Sequence, residues 1–153
     1  MNILLLSKHF WPENFRINII ADKLSKHHNV SVFSELPSYH RVTKNISNKY
    51  KKIKIFRFWT FPRRKNLFSI FLNYLTFIAN GTIKIFSLKK KKIDLIFIYA
   101  TSPIFQAIPG IIFGKIFKIP TFIWVQDLWP EVVEDLKIIK SSFLIYIIRK
   151  ITD

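Results

Sequence analysis

A chain of 153 residues, half of them apolar, is long enough to bury roughly 70% of its unfolded surface in one core and too short for two such domains. It has no cysteine, which excludes a disulfide frame and a thiolate metal site, and its four histidines (His9, His27, His28, His40) show no metal-ligand spacing. Its formal charge of +16 is unevenly spread: residues 1–36 carry four basic and three acidic side chains, residues 37–92 fifteen basic and none acidic, and residues 93–153 six of each. A composition rich in Lys, Ile, Asn and Phe follows from an AT-rich genome, but that does not account for a block of this length without one carboxylate.

Ile3–Leu6 is apolar at successive positions, as a strand buried on both faces requires, and is predicted to be central in a parallel sheet. The run is too short for a signal sequence, so the chain is expected to stay in the cytoplasm. The loop Ser7–Glu13 leads to a helix from Asn14, expected as its cap, to about Lys26, with Ile17, Ile20, Ala21 and Leu24 on one face. His27 and His28 close that helix, where cationic side chains suit the dipole. Val30–Ser34 is the second strand. The opening β-α-β is Rossmann-like, but residues 1–80 contain no glycine, so the backbone lacks the G-x-G-x-x-G approach to a pyrophosphate and a nicotinamide dehydrogenase is not expected.

A basic loop, Leu36–Lys52, carries Pro37, Tyr39 and His40, and Ile53–Phe58 is a strand whose Lys54 and Arg57 suit a sheet edge. After Pro62-Arg63-Arg64-Lys65, residues 66–83 are without charge, which meets the lower limit of about 17 residues for a membrane span. Ser69, Asn73, Thr76, Asn80, Lys84 and Ser87 nevertheless recur at steps of three and four, and that polar stripe is expected on the outside of a domain helix reaching about Leu88. Asp94–Tyr99 is the fourth strand, Ala100-Thr101-Ser102-Pro103 a turn, and a helix follows to about Phe117, with Gly110 and Gly114 spaced for close approach. Thr121–Val125, entered through Pro120, reads as a fully buried parallel strand. Gln126, Asp127, Trp129 and Glu131 follow at its carboxyl end, where open α/β sheets place their ligand crevice. An amphipathic helix is expected over 138–151.

Four segments carry a resemblance: Phe10-Trp11-Pro12-Glu13-Asn14-Phe15-Arg16-Ile17-Asn18 after strand one, Leu36-Pro37-Ser38-Tyr39 after strand two, Ala100-Thr101-Ser102-Pro103 after strand four and Asp127-Leu128-Trp129-Pro130-Glu131 after strand five. In order and at matching strand ends, they resemble the N-terminal domain of family 4 glycosyltransferases, and most closely the bacterial N-acetylfucosamine transferases of O-antigen and capsule assembly. The chain differs from many relatives at Glu13-Asn14, where they have a glycine pair, and at Thr101-Ser102, where they have a histidine.

The resemblance implies an α/β fold, a Rossmann-like parallel sheet flanked by helices, forming the N-terminal, acceptor-binding half of a two-domain GT-B enzyme. It also implies retaining transfer of a sugar from a nucleotide-sugar donor to a lipid-linked or glycan acceptor, with no cofactor and no metal. The C-terminal donor domain has no counterpart in these 153 residues, so the chain is expected to be either truncated or dependent on a donor-domain partner, and inactive alone.

Candidate catalytic residues are Asp127 and Glu131, which would orient the acceptor hydroxyl or take its proton. Candidate substrate-binding residues are Glu13, Asn14, Arg16, Tyr39, His40, Thr101, Ser102 and Trp129. Of these, Asn14 and Arg16 suit a phosphate at a helix N-terminus, and Trp129, with Trp11, suits a sugar face. Helix capping and buried aromatics are the structural alternatives for the same residues. The basic block points to an anionic membrane surface, peripheral on the inner face of the plasma membrane. A non-catalytic module gripping polyprenyl-phosphate or anionic lipid is the alternative function. A nucleic-acid partner is not expected, because Phe56, Arg57, Phe58, Trp59, Phe61, Arg63 and Arg64 are accounted for by an edge strand and a helix entry.

Overall fold

The computed structural model describes residues 1–37, 50–64, 66–88, 92–101 and 103–128, together with residues 131, 142, 145, 146, 149 and 150. Its strands are β1 (Asn2–Ser7), β2 (Asn29–Glu35), β3 (Lys54–Phe58), β4 (Leu95–Ala100) and β5 (Thr121–Val125). They form one sheet in the order β3-β2-β1-β4-β5, with every pairing parallel. The helices are α1 (Arg16–Ser25), α2 (Leu67–Phe86) and α3 (Ile108–Phe117), the last entered through a 3-10 turn at Ile104–Ala107. The helix expected over 138–151 lies largely outside the described residues.

Period-two alternation splits the core in two. From β1, Leu4 and Leu6 point to one face, where they meet Phe33, Ile96, Ile98, Phe77 and Ile85 of α2 and Phe113 of α3. Ile3 and Leu5 point to the other, with Val30, Val32, Tyr99 and Ile17 and Ala21 of α1. The central position of β1 and the edge position of β3 follow the sequence expectation. Helix α3 sits very close to the sheet: a Cβ on Gly114 would come 2.2 Å from Thr121 Oγ1, and one on Gly110 would come 2.8 Å from Ile98 Cδ1.

Three expectations are corrected. First, β5 is not a buried strand but the edge of the described sheet, with Phe122, Ile123 and Trp124 exposed. An apolar run records that both faces are meant to be covered, but it cannot say whether a further strand lies alongside. Second, Asn14 does not cap α1. The cap position is Phe15, which gives the helix no side-chain bond, and Asn14 is exposed in the preceding loop.

Third, the polar stripe of α2 turns inward over its first half. Ser69 and Asn73 are 3% and 0% exposed, while Phe68 and Phe71, one turn apart, are 69% and 61% exposed. The reason is the segment Trp59–Arg64, which leaves β3 without a ladder partner and takes its hydrogen bonds from the helix. Asn73 Nδ2 donates to the Phe61 carbonyl (2.7 Å), Thr76 Oγ1 accepts from the Phe61 amide (2.8 Å), Asn80 Nδ2 donates to the Trp59 carbonyl (3.0 Å) and Ser69 Oγ accepts from the Arg64 amide (2.9 Å). Lys84 and Ser87 remain outside. Asn66 caps the helix, accepting from the Ser69 amide. Among the described residues, no helix is long and apolar enough to cross a membrane.

Candidate functional site

The chain builds β1, β2 and β3 toward one edge, then returns through α2 to place β4 on the other side of β1. Neighbouring connections therefore diverge at the carboxyl ends of β1 and β4, leaving the crevice in which doubly wound sheets bind ligands. On the β1 side it is bordered by the loop into α1, which contains a cis Trp11–Pro12 bond. That loop is held by a turn, Glu13 amide to Phe10 carbonyl (3.2 Å), and by Asn18 Nδ2, which donates to the Glu13 carbonyl (2.7 Å). On the β4 side the turn is held by Gln106, whose Nε2 donates to Thr101 Oγ1 (2.9 Å), to the Thr101 carbonyl and to the Pro103 carbonyl (3.3 Å).

Behind β1 and β2 lies a buried charged cluster. Lys8 Nζ, on a side chain 1% exposed, donates to Glu35 Oε2 (3.1 Å) and to Asn73 Oδ1 (2.5 Å), and it sits over the ring of Tyr74, 4.7 Å from its centroid. Thr60 Oγ1 donates to the same Glu35 oxygen (3.0 Å). His9 Nδ1 lies 2.9 Å from Glu13 Oε2 and 3.4 Å from Glu35 Oε1, its ring stacked on Phe15 at 4.9 Å. Arg57 reaches in from β3, donating to the Glu35 carbonyl (3.1 Å), Ser34 Oγ (3.3 Å) and the Trp11 carbonyl. Burial pulls the Lys8 ammonium below its ordinary value, with the Glu35 carboxylate opposing, and burial lowers Arg57 while Glu13 opposes. The cluster ties α2, β1, β2 and the loop into α1 to one another.

The β4 and β5 ends are more open. Tyr99 Oη donates to Gln126 Oε1 (3.1 Å), and the Tyr99 ring meets Trp124 edge-on at 5.7 Å. Burial raises the Tyr99 phenol above its ordinary value; Arg16 lowers it and Asp127 raises it. Arg16 from the first turn of α1 and Asp127 after β5 thus both act on one phenol, although 111 positions separate them in the chain. Asp127 is half-buried and Arg16 exposed, an arrangement that suits an exchangeable ligand better than a core ion pair.

Of the residues singled out from the sequence, Arg16 and Asp127 both bear on the Tyr99 phenol, in opposite directions. Asn14 is exposed beside them in the chain, Thr101 is engaged by Gln106, Glu13 is buried against His9, and Glu131 is exposed. Tyr39, His40, Ser102 and Trp129 lie outside the described residues. Trp11 is half-buried, with its ring edge-on to Tyr50 at 6.0 Å. Sequence reasoning missed Lys8, His9 and Glu35. Their signal was a charged residue set directly at the end of an apolar strand, twice. It also missed Tyr99, which carries no sequence signal beyond lying at a strand end, although it placed its partner Gln126 at the crevice. Among the described residues, no group of three or more His, Asp or Glu side chains is arranged to hold a metal ion. A separate cavity of about 470 Å³ opens at the opposite, amino ends of the strands, lined in part by Lys52, Lys54 and Lys92.

Comparison with protein-family models gave no match, and comparison with curated protein sequences gave none. Among solved structures, the chain is similar to Phytolacca americana apo UGT2, with a TM-score of 0.51 at 11% identity over 83% of this chain and 29% of that one. It is also similar to Phytolacca americana UGT2 complexed with UDP-2-fluoroglucose and pterostilbene, with a TM-score of 0.52 at 11% identity over 93% of this chain and 36% of that one. The chain spans about a third of the length of these structures. The fold is α/β, a Rossmann-like parallel sheet flanked by helices, similar to part of these structures.

Proposed function

We propose that the chain is the acceptor-binding half of a retaining glycosyltransferase. It would move a sugar from a nucleotide-sugar to a lipid-linked or glycan acceptor in bacterial surface polysaccharide synthesis, with its donor-binding half supplied by further polypeptide or a partner chain. The observation that carries this reading is the crevice at the carboxyl ends of β1 and β4, bordered by the loop into α1 and by the turn that Gln106 holds. Support also comes from the likeness to a structure that holds a UDP-sugar analogue and a small acceptor-like molecule, and from the four segments that resemble family 4 enzymes.

In this reading Arg16, with Asn14 beside the uncapped amides of α1, holds a phosphate of donor or lipid-linked acceptor. Thr101 borders the acceptor side, the resemblance adds Ser102, Tyr39, His40 and Trp129 as substrate-binding residues, and buried Glu13 shapes the first loop through His9. Asp127, with Glu131 as the other candidate, orients the acceptor hydroxyl. As the acceptor oxygen bonds to the anomeric carbon, the bond to the nucleoside diphosphate breaks and the hydroxyl proton passes to the carboxylate. No metal or other cofactor takes part. The chain would work on the cytoplasmic face of the plasma membrane, held to anionic lipid by its basic block.

The test is turnover. Residues 1–153 alone should transfer no sugar, because the reactants are oriented only when two domains face each other. With a donor-binding half supplied, transfer should appear, and Asp127→Asn should lower it by roughly 100-fold to 10,000-fold while leaving thermal stability nearly unchanged. Transfer by the chain alone would refute the half-enzyme reading. Early melting of Asp127→Asn with turnover per folded molecule intact would make Asp127 structural and leave Glu131 or a donor-side group to take the proton. A second reading, a non-catalytic module that grips polyprenyl-phosphate or anionic lipid, is favoured by the acid-free block 37–92. Persistent absence of transfer with any donor half, alongside lipid binding, would select it.

A further inference from the structure

Helix α2 presents its apolar side to solvent. Phe68, Phe71, Leu75 and Ile83 are exposed, and at 100° per residue they fall within an arc of about 120° along a helix of roughly 30 Å. Its polar stripe is already occupied by the segment leaving β3, and Phe77, Ile85 and Asn73 face the sheet, so no rotation of the helix could hide the outer side chains. Arg63 and Arg64 are exposed just before its first turn, and Lys84 and Lys92 are exposed at and beyond its last. No acidic side chain lies anywhere in residues 37–92. The exposed apolar side chains of the sheet, Phe122, Ile123 and Trp124, belong to β5 at the far edge, away from β2 and β3, which α2 contacts.

We propose that this outer face of α2 is the surface by which the chain docks on an anionic lipid bilayer, with Phe68, Phe71, Leu75 and Ile83 entering the acyl boundary and Arg63 and Arg64, just before the helix, meeting headgroup phosphates. Charge decides the occupant: a second copy apposed on the same face would bring two acid-free basic blocks together, whereas an anionic bilayer complements both the apolar arc and its basic ends. The helix lies in the membrane plane and does not span it. The inference rests on the reading that the chain works at a membrane, and it adds which surface touches the lipid.

The chain has no cysteine, so single cysteines can be labelled cleanly in the full 153-residue protein. Leu75→Cys carrying an environment-sensitive dye should shift to the blue with vesicles of phosphatidylglycerol and phosphatidylcholine, and not with phosphatidylcholine alone. Ile19→Cys, exposed on α1 on the opposite face of the sheet, should stay unchanged. Phe71→Ser combined with Leu75→Ser should weaken vesicle partition at least about tenfold, and Arg63→Gln with Arg64→Gln should weaken it at low salt. If the chain sediments with anionic vesicles while the label at position 75 is silent, another face binds lipid and the proposal falls with the membrane reading intact. If nothing sediments, both fall. A shift at position 75 that follows protein concentration without vesicles assigns the face to self-association and overturns the proposal. Should the serine variants fail to fold, the two labelled positions still decide between the faces.

Discussion

The two ends of the strand-end crevice are built differently. At β1 and β2, four ionisable side chains, Lys8, His9, Glu13 and Glu35, are almost wholly buried and bonded to one another or to neighbouring polar groups. At β4 and β5, Arg16, Thr101, Gln126 and Asp127 keep access to solvent and are joined by single neutral bonds or by longer-range charge. Buried charge held among several polar neighbours fixes geometry, because moving any member strands the others in a poor solvent. Partly exposed charge can exchange water for a ligand at little cost. The closed end therefore holds the loop into α1 in place, and the open end is where binding and chemistry are expected.

Breaking the closed end should have the largest effect on stability. Lys8→Met leaves Glu35 buried without its cation and should cost about 3–5 kcal/mol, measured by urea unfolding. Adding Glu35→Gln to Lys8→Met should recover most of that loss. A neutral Lys8→Met would mean that the cluster is not a coupled unit. Arg57→Met should come next, at about 1.5–3 kcal/mol, since the carbonyls of Trp11 and Glu35 lose a charged donor.

At the open end the same measurement should find less. Tyr99→Phe removes one neutral bond to Gln126 and should cost about 0.5–1.5 kcal/mol. A loss as large as that of Lys8→Met would erase the distinction between the two ends.

The smallest effect is a shift in titration. Burial raises the Tyr99 phenol, so the native state keeps a proton that the unfolded chain has lost. Its contribution is fully present below the unfolded value, near pH 10, and is lost as pH rises through the folded value. Asp127→Asn should move the Tyr99 titration to lower pH and Arg16→Gln to higher pH, followed by NMR of labelled tyrosine. If neither variant moves it, Arg16 and Asp127 do not share a site.

The sequence by itself determined the elements and the central strand. Ile3–Leu6 could only be buried on both faces, Lys54 and Arg57 suited an edge, and the spacing of Ile17, Ile20, Ala21 and Leu24 admitted one helical face. It also offered Arg16 and Asp127 as candidates, on the general rule that such sheets bind ligands at their strand ends. Local pattern carries this information because period and burial are properties of a few successive residues.

What a side chain faces across the fold is not local, and only the tertiary structure decided it. That β5 is the edge of the described sheet, which side of α2 is wet, and that Lys8 meets Glu35 and Asn73 all depend on segments tens of residues away. The stripe of α2 is the plainest case. Ser69, Asn73 and Thr76 look solvent-seeking in sequence, yet the unpaired backbone at Trp59–Arg64 needs hydrogen-bond partners more than water does, so the polar side turned in and the apolar side turned out.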